Sequence, residues 1–297
     1  MRVFLTGATG FIGSRIRREL LGSGHEVIGL TRSDAGAREL QAAGASAHIA
    51  TLEDAAGLAR GAENADAVIH TAFDHDFANF AANCEKDRRV IAALGSVLAG
   101  SDRPLLITSG VGMGDPGNGE PAREDVFDTH HFNPRIASEL EGEEQLQAGI
   151  NLGVARLPQV HDTVKQGLIS PYIEMSRGKG AVAYVEEGAN RWSAGHVDDV
   201  AKLYVKAMVR AERGARYNAV AEEGVAVRDI AEVVAHGLGL PLVSIGKEEA
   251  AGHFGWFALF AAMDLRASSA LTREKLGWTT DGPSLLDDLR AMDYSVI

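Results

Sequence analysis

The stretch LTGATGFIG, residues 5–13, constrains the fold of this chain more than any other. It sets Gly7, Gly10 and Gly13 directly after a short apolar run, Arg2 to Leu5, and directly before an amphipathic stretch, Phe11 to Leu21. Strand, glycine turn and helix in that order begin a crossover unit of a parallel sheet. Glycine serves where the backbone turns tightly and where a ligand must come close to it. The helix behind the turn aims unpaired N–H groups, and the positive end of its dipole, at the same spot. Together they form a phosphate cradle, and the spacing suits the pyrophosphate of a dinucleotide. Gly7, Thr9, Gly10, Phe11, Ile12 and Gly13 are its candidate contacts.

The alternation continues downstream. Strands are expected at Glu26 to Leu30, Ala47 to Ala50, Ala67 to Thr71, Pro104 to Thr108 and Gly153 to Leu157. Helices are expected at Ala35 to Ala43, Phe77 to Leu98 and Pro134 to Gln147. Strands that are apolar on both faces and joined through helices form a parallel sheet covered on both sides, an α/β architecture. Residues 1–158 read as a Rossmann-like dinucleotide-binding domain and 159–297 as a smaller substrate-binding lobe. A segment near 189–220 returns to the first domain, since Arg216 to Val220 has strand character.

The tip of the second strand bears on the type of dinucleotide. An NAD site usually places a carboxylate there for the ribose hydroxyls. This chain has Thr31, Arg32 and Ser33, with no acid before Asp34. A guanidinium suits a 2′-phosphate, so NADP(H) is expected over NAD(H). Arg15, one turn into the first helix, is a possible helper. Leu52 offers an apolar contact for adenine, and Thr71 and Ala72 end the fourth strand on the cofactor side.

Charge excludes other partners. Forty-one acidic residues against 29 basic give a net charge of −12, which argues against nucleic acid and anionic membranes. The densest apolar run, Phe254 to Met263, is too short to span a bilayer. The N-terminus turns glycine-rich too early for a signal peptide, and the single cysteine, Cys84, allows no internal disulfide. A cytoplasmic protein is expected. No histidine, cysteine or carboxylate cluster has metal-ligand spacing, so no metal is expected.

TGATGFIG, VIHTA, LITSG, LEGEEQL, RLPQV, GHVDDVA and LTREKLGW occur in an order that resembles the extended short-chain dehydrogenases/reductases, a NAD-dependent epimerase/dehydratase-like family. The resemblance covers essentially the whole chain. It implies a Rossmann-like domain with a substrate lobe, hydride transfer at a nicotinamide, and a homodimer formed by two helices per subunit, here Phe77 to Leu98 and Pro134 to Gln147. It also implies a serine that binds the substrate oxygen, matched by Ser109, and a tyrosine and lysine that handle the proton and the ribose. Those last two are absent. Aligning PRIASELEGE on the family pattern puts Arg135 in the tyrosine slot and Glu139 in the lysine slot.

That exchange alters the chemistry. A guanidinium does not release its proton at working pH, so it cannot act as a general acid, yet it can stabilise a developing oxyanion. A glutamate can accept from ribose hydroxyls, or the two residues can form an i, i+4 ion pair. The proton must then come from elsewhere. Imidazole suits the task, and His131 and His161 are the leading candidates, with Asp74 and His75 also at a strand end facing the cofactor. His70 and His196 read as structural. Trp192 and Arg191 are candidate substrate contacts, with an aromatic lid in Phe254 to Phe260. An NADPH-dependent reductase of a carbonyl or activated alkene on a small molecule is the leading reading. A non-catalytic NADP-binding redox-sensing regulator and a NAD-dependent sugar epimerase or dehydratase are the alternatives.

Overall fold

The protein is described here from a computed structural model, which covers residues 1–295. The first half runs β1 (Arg2–Thr6), α1 (Phe11–Gly22), β2 (Glu26–Thr31), α2 (Asp34–Ala42), β3 (Ser46–Ile49), α3 (Ala55–Glu63), β4 (Ala67–His70), α4 (Phe80–Leu98), β5 (Leu105–Gly110), α5 (Ile136–Gln147) and β6 (Leu152–Leu157). The second half runs β7 (Gln159–His161), α6 (Ile169–Lys179), β8 (Val182–Val185), β9 (Arg191–His196), α7 (Val197–Arg210), β10 (Arg216–Asn218), β11 (Glu222–Ala226), α8 (Val227–Leu238), β12 (Leu242–Ile245), α9 (Lys247–Phe254), α10 (Ala258–Ala262), α11 (Ala270–Leu276) and α12 (Leu285–Ala291).

Seven parallel strands in the order β10-β6-β5-β4-β1-β2-β3 form the main sheet. Its order reverses between β1 and β4, where a doubly wound sheet opens a crevice at the carboxyl ends of its strands. One face packs Ile16, Leu20, Leu40, Val200 and Tyr204 from α1, α2 and α7 against the strands. The other packs Leu58, Val90, Ile91 and Leu94 from α3 and α4. Burial on both faces explains the unbroken apolar runs of β4 and β5.

Three differences from the sequence expectations have physical causes. The helix α3 was not foreseen, because AAGLARGAE is short and carries two glycines. It forms because Gly57, Gly61 and Ala62 let it sit close to the sheet: a Cβ at Gly61 would lie 2.4 Å from the Phe4 ring. The helix expected from Phe77 begins as a 3-10 turn, Phe77–Asn79, whose first N–H groups bond to Asp76. Within 189–220 it is α7 and β10 that pack on the main domain, joined there by Leu276 and Trp278 from further along the chain. β9 instead pairs with β7 and antiparallel β11 in a separate three-stranded sheet.

The motif GHVDDVA ties the C-terminal segment to α7. Asp199 accepts from the N–H groups of Asp281 and Gly282, and the Trp278 indole donates to its carbonyl at 2.9 Å. His196 caps α7 by accepting from the Asp198 N–H at 3.3 Å. The smaller lobe has its own core around Ile169, Tyr172, Trp192, Ile230, Phe254 and Phe257. No helix among the described residues is long and apolar enough to cross a membrane.

Candidate active site

A cleft of about 1160 Å³ runs along the carboxyl ends of the main-sheet strands and up between the two lobes. At its inner end lies the glycine turn. Gly7 has φ +72°, and a Cβ there would meet the Thr71 hydroxyl at 2.7 Å. A Cβ on Gly13 would come within 2.0 Å of the Gly7 carbonyl oxygen. The turn and α1 are thus packed backbone to backbone. No side chain caps α1 at Gly10, and its first turn carries no acid. Its free N–H groups and dipole are left for an anion. This cradle fits the pyrophosphate of a dinucleotide.

Gly7, Thr9, Gly10, Phe11, Ile12, Gly13, Thr31, Arg32, Ser33, Leu52, Thr71 and Ala72 all line the cleft. Thr71 donates to the Thr6 carbonyl at 2.7 Å, which locks the end of β4 against the turn. The Ser33 hydroxyl caps α2 by accepting from the Gly36 N–H at 3.2 Å. Arg32 is exposed at the tip of β2 and has no ion-pair partner among the described residues. Arg15 does not join it. That guanidinium is bonded to Asp162 at 3.1 Å and lies 3.7 Å from Asp198.

Arg135 and Glu139 part company. Arg135 reaches the cleft wall, lying over the Phe73 ring at 4.2 Å. Three of its five N–H donors are engaged, by Asp87 (2.6 Å), by Ser138 and by the Thr108 carbonyl (2.8 Å). Asp87 is the hub of this network: it also accepts from Ser138 at 2.6 Å and lies 2.9 Å from His70. His70 in turn meets the Thr6 hydroxyl at 2.7 Å. Burial pushes the Asp87 carboxyl upward, but the Arg135 charge and the His70 and Ser138 contacts outweigh it and hold it well below the usual range.

Glu139 never sees the cleft. It is fully buried and accepts from Arg156 through both oxygens at 2.8 Å and from Arg216 at 2.9 Å. Its oxygens are therefore not available to a ribose, and the i, i+4 pair with Arg135 does not form. Desolvation raises its pKa, and the two guanidiniums more than reverse the effect. Arg156, from RLPQV, also donates to the carbonyls of Arg123 and Val126 at 3.0 Å, pinning the loop between β5 and α5.

Three further expectations are corrected. Ser109 points into protein rather than into the cleft: its hydroxyl is buried without a hydrogen-bond partner, and Gly110 to Met113 form the wall in its place. His161 is buried with Nδ1 on Asp288 at 2.7 Å and Nε2 enclosed without a partner. Desolvation lowers its pKa against the pull of Asp288, and it does not line the cleft. Arg191 is exposed outside the cleft, whereas its neighbour Trp192 lines it. Arg191 is the first residue of β9, at the exposed end of the strand, whereas Trp192 and Ser193 further in both line the cleft.

His131 and His75 do line the cleft. His131 is half-buried and stacks on Phe132 at 4.7 Å. His75 packs edge-on against Phe73, and partial desolvation with the nearby Arg135 and Lys165 charges holds its pKa below the ordinary imidazole value, against a backbone hydrogen bond at Phe73 that raises it. Sequence reasoning missed Asn133, Gln159 and Lys165, all on the wall. Only a topology that brings the turn after β7 over the cleft identifies Lys165. Cys84 is buried, and desolvation pushes its thiol up to about 11, so it is no nucleophile. Among the described residues no group of three metal-ligand side chains comes together.

Residues 3–220 match the profile of the "NAD dependent epimerase/dehydratase family". The chain belongs to this family. Uncharacterized proteins of Schizosaccharomyces pombe and Saccharomyces cerevisiae are 40% and 36% identical to it over 99% and 100% of this chain, and over the full length of each. The dTDP-glucose 4,6-dehydratase of Streptomyces venezuelae, solved with NAD bound, superposes with a TM-score of 0.77 at 18% identity, covering 99% of this chain and 96% of that one. At that identity the likeness speaks for the fold alone. For a member of the NAD dependent epimerase/dehydratase family, the glycine cradle is a pyridine-nucleotide site and the cleft above it a small-molecule site.

Proposed function

We propose that the protein is an NADPH-dependent reductase acting on a carbonyl or activated alkene of a small organic molecule. The observation that carries the cofactor preference is Arg32, a guanidinium at the tip of β2 with no ion-pair partner among the described residues and no acid before Asp34 in the sequence. Bound there, a reduced nicotinamide supplies a hydride which, with one proton from water, turns a carbonyl into an alcohol and leaves the oxidised cofactor. Arg135 keeps two N–H donors free at the cleft wall to polarise the substrate oxygen. Water, or an imidazole at His131 or His75, returns the proton. The same reading takes the chain to be a cytoplasmic homodimer joined through α4 and α5.

Calorimetry with both cofactors tests the preference. Arg32→Ala should weaken NADPH binding about tenfold or more, since a charged hydrogen bond contributes ~1.5–3 kcal/mol, while NADH affinity stays within about twofold. Equal losses for the two would refute it. A second reading, a non-catalytic NADP-binding regulator, is favoured by one observation: Arg135 and Glu139 both serve internal ion pairs. It expects tight NADPH binding without turnover on any carbonyl.

Arg135 yields a further expectation. Arg135→Lys cannot reproduce three directional bonds, so carbonyl reduction should fall by about tenfold or more, the equivalent of ~1.4 kcal/mol or more. Steady-state rates at saturating NADPH check this; an unchanged kcat/KM would remove Arg135 from the chemistry.

A further inference from the structure

We infer that the substrate half of the cleft takes an uncharged, apolar aromatic carbonyl compound and does not take a nucleotide sugar. This rests on the reductase reading above. The wall is the first observation. Phe73, Phe77, Phe80, Trp192, Phe260 and Met263 line the cleft beyond the cradle, contributed by both lobes. Phe77 stacks face to face on Trp256 at 4.5 Å with ring planes 7° apart, and its edge meets Phe260 at 6.4 Å. These contacts join the segment after β4 to the segment around α10, so aromatic surface rims the cleft on both sides. Trp192 backs this wall from the lobe core, almost fully buried, with its indole N–H engaged by the Met263 carbonyl at 3.3 Å. Rings of this kind favour offset or edge-on packing with another ring.

The second observation concerns charge. A nucleotide sugar carries a diphosphate, and a diphosphate away from a helix N-terminus needs arginine or lysine. Among the described residues four lysine and arginine side chains line the cleft: Arg32, Lys86, Arg135 and Lys165. Arg32 lies at the far end, on β2. Lys86 is held by Glu53 at 2.9 Å and Asp74 at 2.7 Å. Arg135 is held by Asp87. Among the described residues Lys165 alone is left without an ion pair in the substrate half, and the carboxylate of Glu174 lines the cleft as well. Arg191, which would have met an anionic group, faces outside. One lysine, in a cleft that a carboxylate also lines, does not balance two phosphates, whereas it can hydrogen-bond one carbonyl oxygen. Apolar burial at about 25 cal/mol per Å² then supplies the affinity.

Tryptophan fluorescence reads the site without turnover. The protein saturated with NADP should show saturable quenching with cinnamaldehyde and none with UDP-glucose. With NADPH, cinnamaldehyde should be reduced with a kcat/KM at least about tenfold above that of glycolaldehyde, a small polar carbonyl. Phe77→Asp and, separately, Phe260→Asp should raise the cinnamaldehyde KM about tenfold or more while NADPH affinity stays within about twofold. Two variants guard against one that does not fold. UDP-glucose quenching at lower concentration than cinnamaldehyde, or glycolaldehyde turnover equal to that of cinnamaldehyde, overturns the inference. Quenching by cinnamaldehyde with no NADPH oxidation supports the aromatic site and overturns the reductase reading alone.

Discussion

Glu139→Ala should destabilise the fold by about 3–5 kcal/mol, because it leaves the Arg156 guanidinium inside the protein without its carboxylate and takes from Arg216 the more buried of its two acids. Arg156 is fully buried and has no other ion-pair partner among the described residues, while Arg216, mostly buried, keeps Glu143. Urea denaturation at neutral pH measures the loss, and a change below about 1 kcal/mol would mean that water or a shifted side chain takes over. The pH dependence has a definite sign. The folded pKa of Glu139 is lowered from the ordinary 4.5, so its stabilisation is fully present above that value and disappears as pH falls through the folded pKa. The gap between variant and parent should therefore be widest near neutrality and close only in acid, below the ordinary glutamate range. Asp87 acts in the same direction, so the parent should lose stability steeply in that acid window.

Gly13→Ala should cost about tenfold or more in dinucleotide affinity and lower stability by about 1–3 kcal/mol, the usual price of overpacking. The new Cβ would sit 2.0 Å from the Gly7 carbonyl oxygen and 2.7 Å from its carbon, and neither is the far end of a flexible side chain. The turn must move, and with it the amides that face the phosphates. Gly22→Ala is the control on the same helix. A Cβ there meets nothing within 4 Å, so the change should be neutral or stabilise by about 0.5–1 kcal/mol. Calorimetric titration and thermal unfolding of both variants separate the effects. Retained affinity in Gly13→Ala would mean that the cradle is not where the dinucleotide binds.

Much of the glycine-turn end of the cleft was legible without coordinates. The glycine spacing, the strand before it and the polar tip of β2 are neighbours in sequence as well as in space, and the cradle residues named from them all line the cleft. The catalytic half was not. Ser109 sits on a strand end whose alternation turns its hydroxyl inward, and a motif match does not report which way a strand is rolled. His161 falls three residues beyond Pro158, but Asp288 on α12, 127 positions away, captures it. The aromatic rim joins Phe77 to Trp256 and Phe260, and no local pattern pairs those positions.

Residue order by itself determined the parallel α/β architecture, the crossover units and the location of the phosphate cradle, because periodicity and turn chemistry act over a few residues. The tertiary structure alone decided what Arg135 and Glu139 became. Asp87 is 48 positions from Arg135, and Arg216 is 77 from Glu139. In a buried site a charge settles on whichever opposite charge the fold brings within hydrogen-bond reach, and that partner has no signature in the neighbouring sequence.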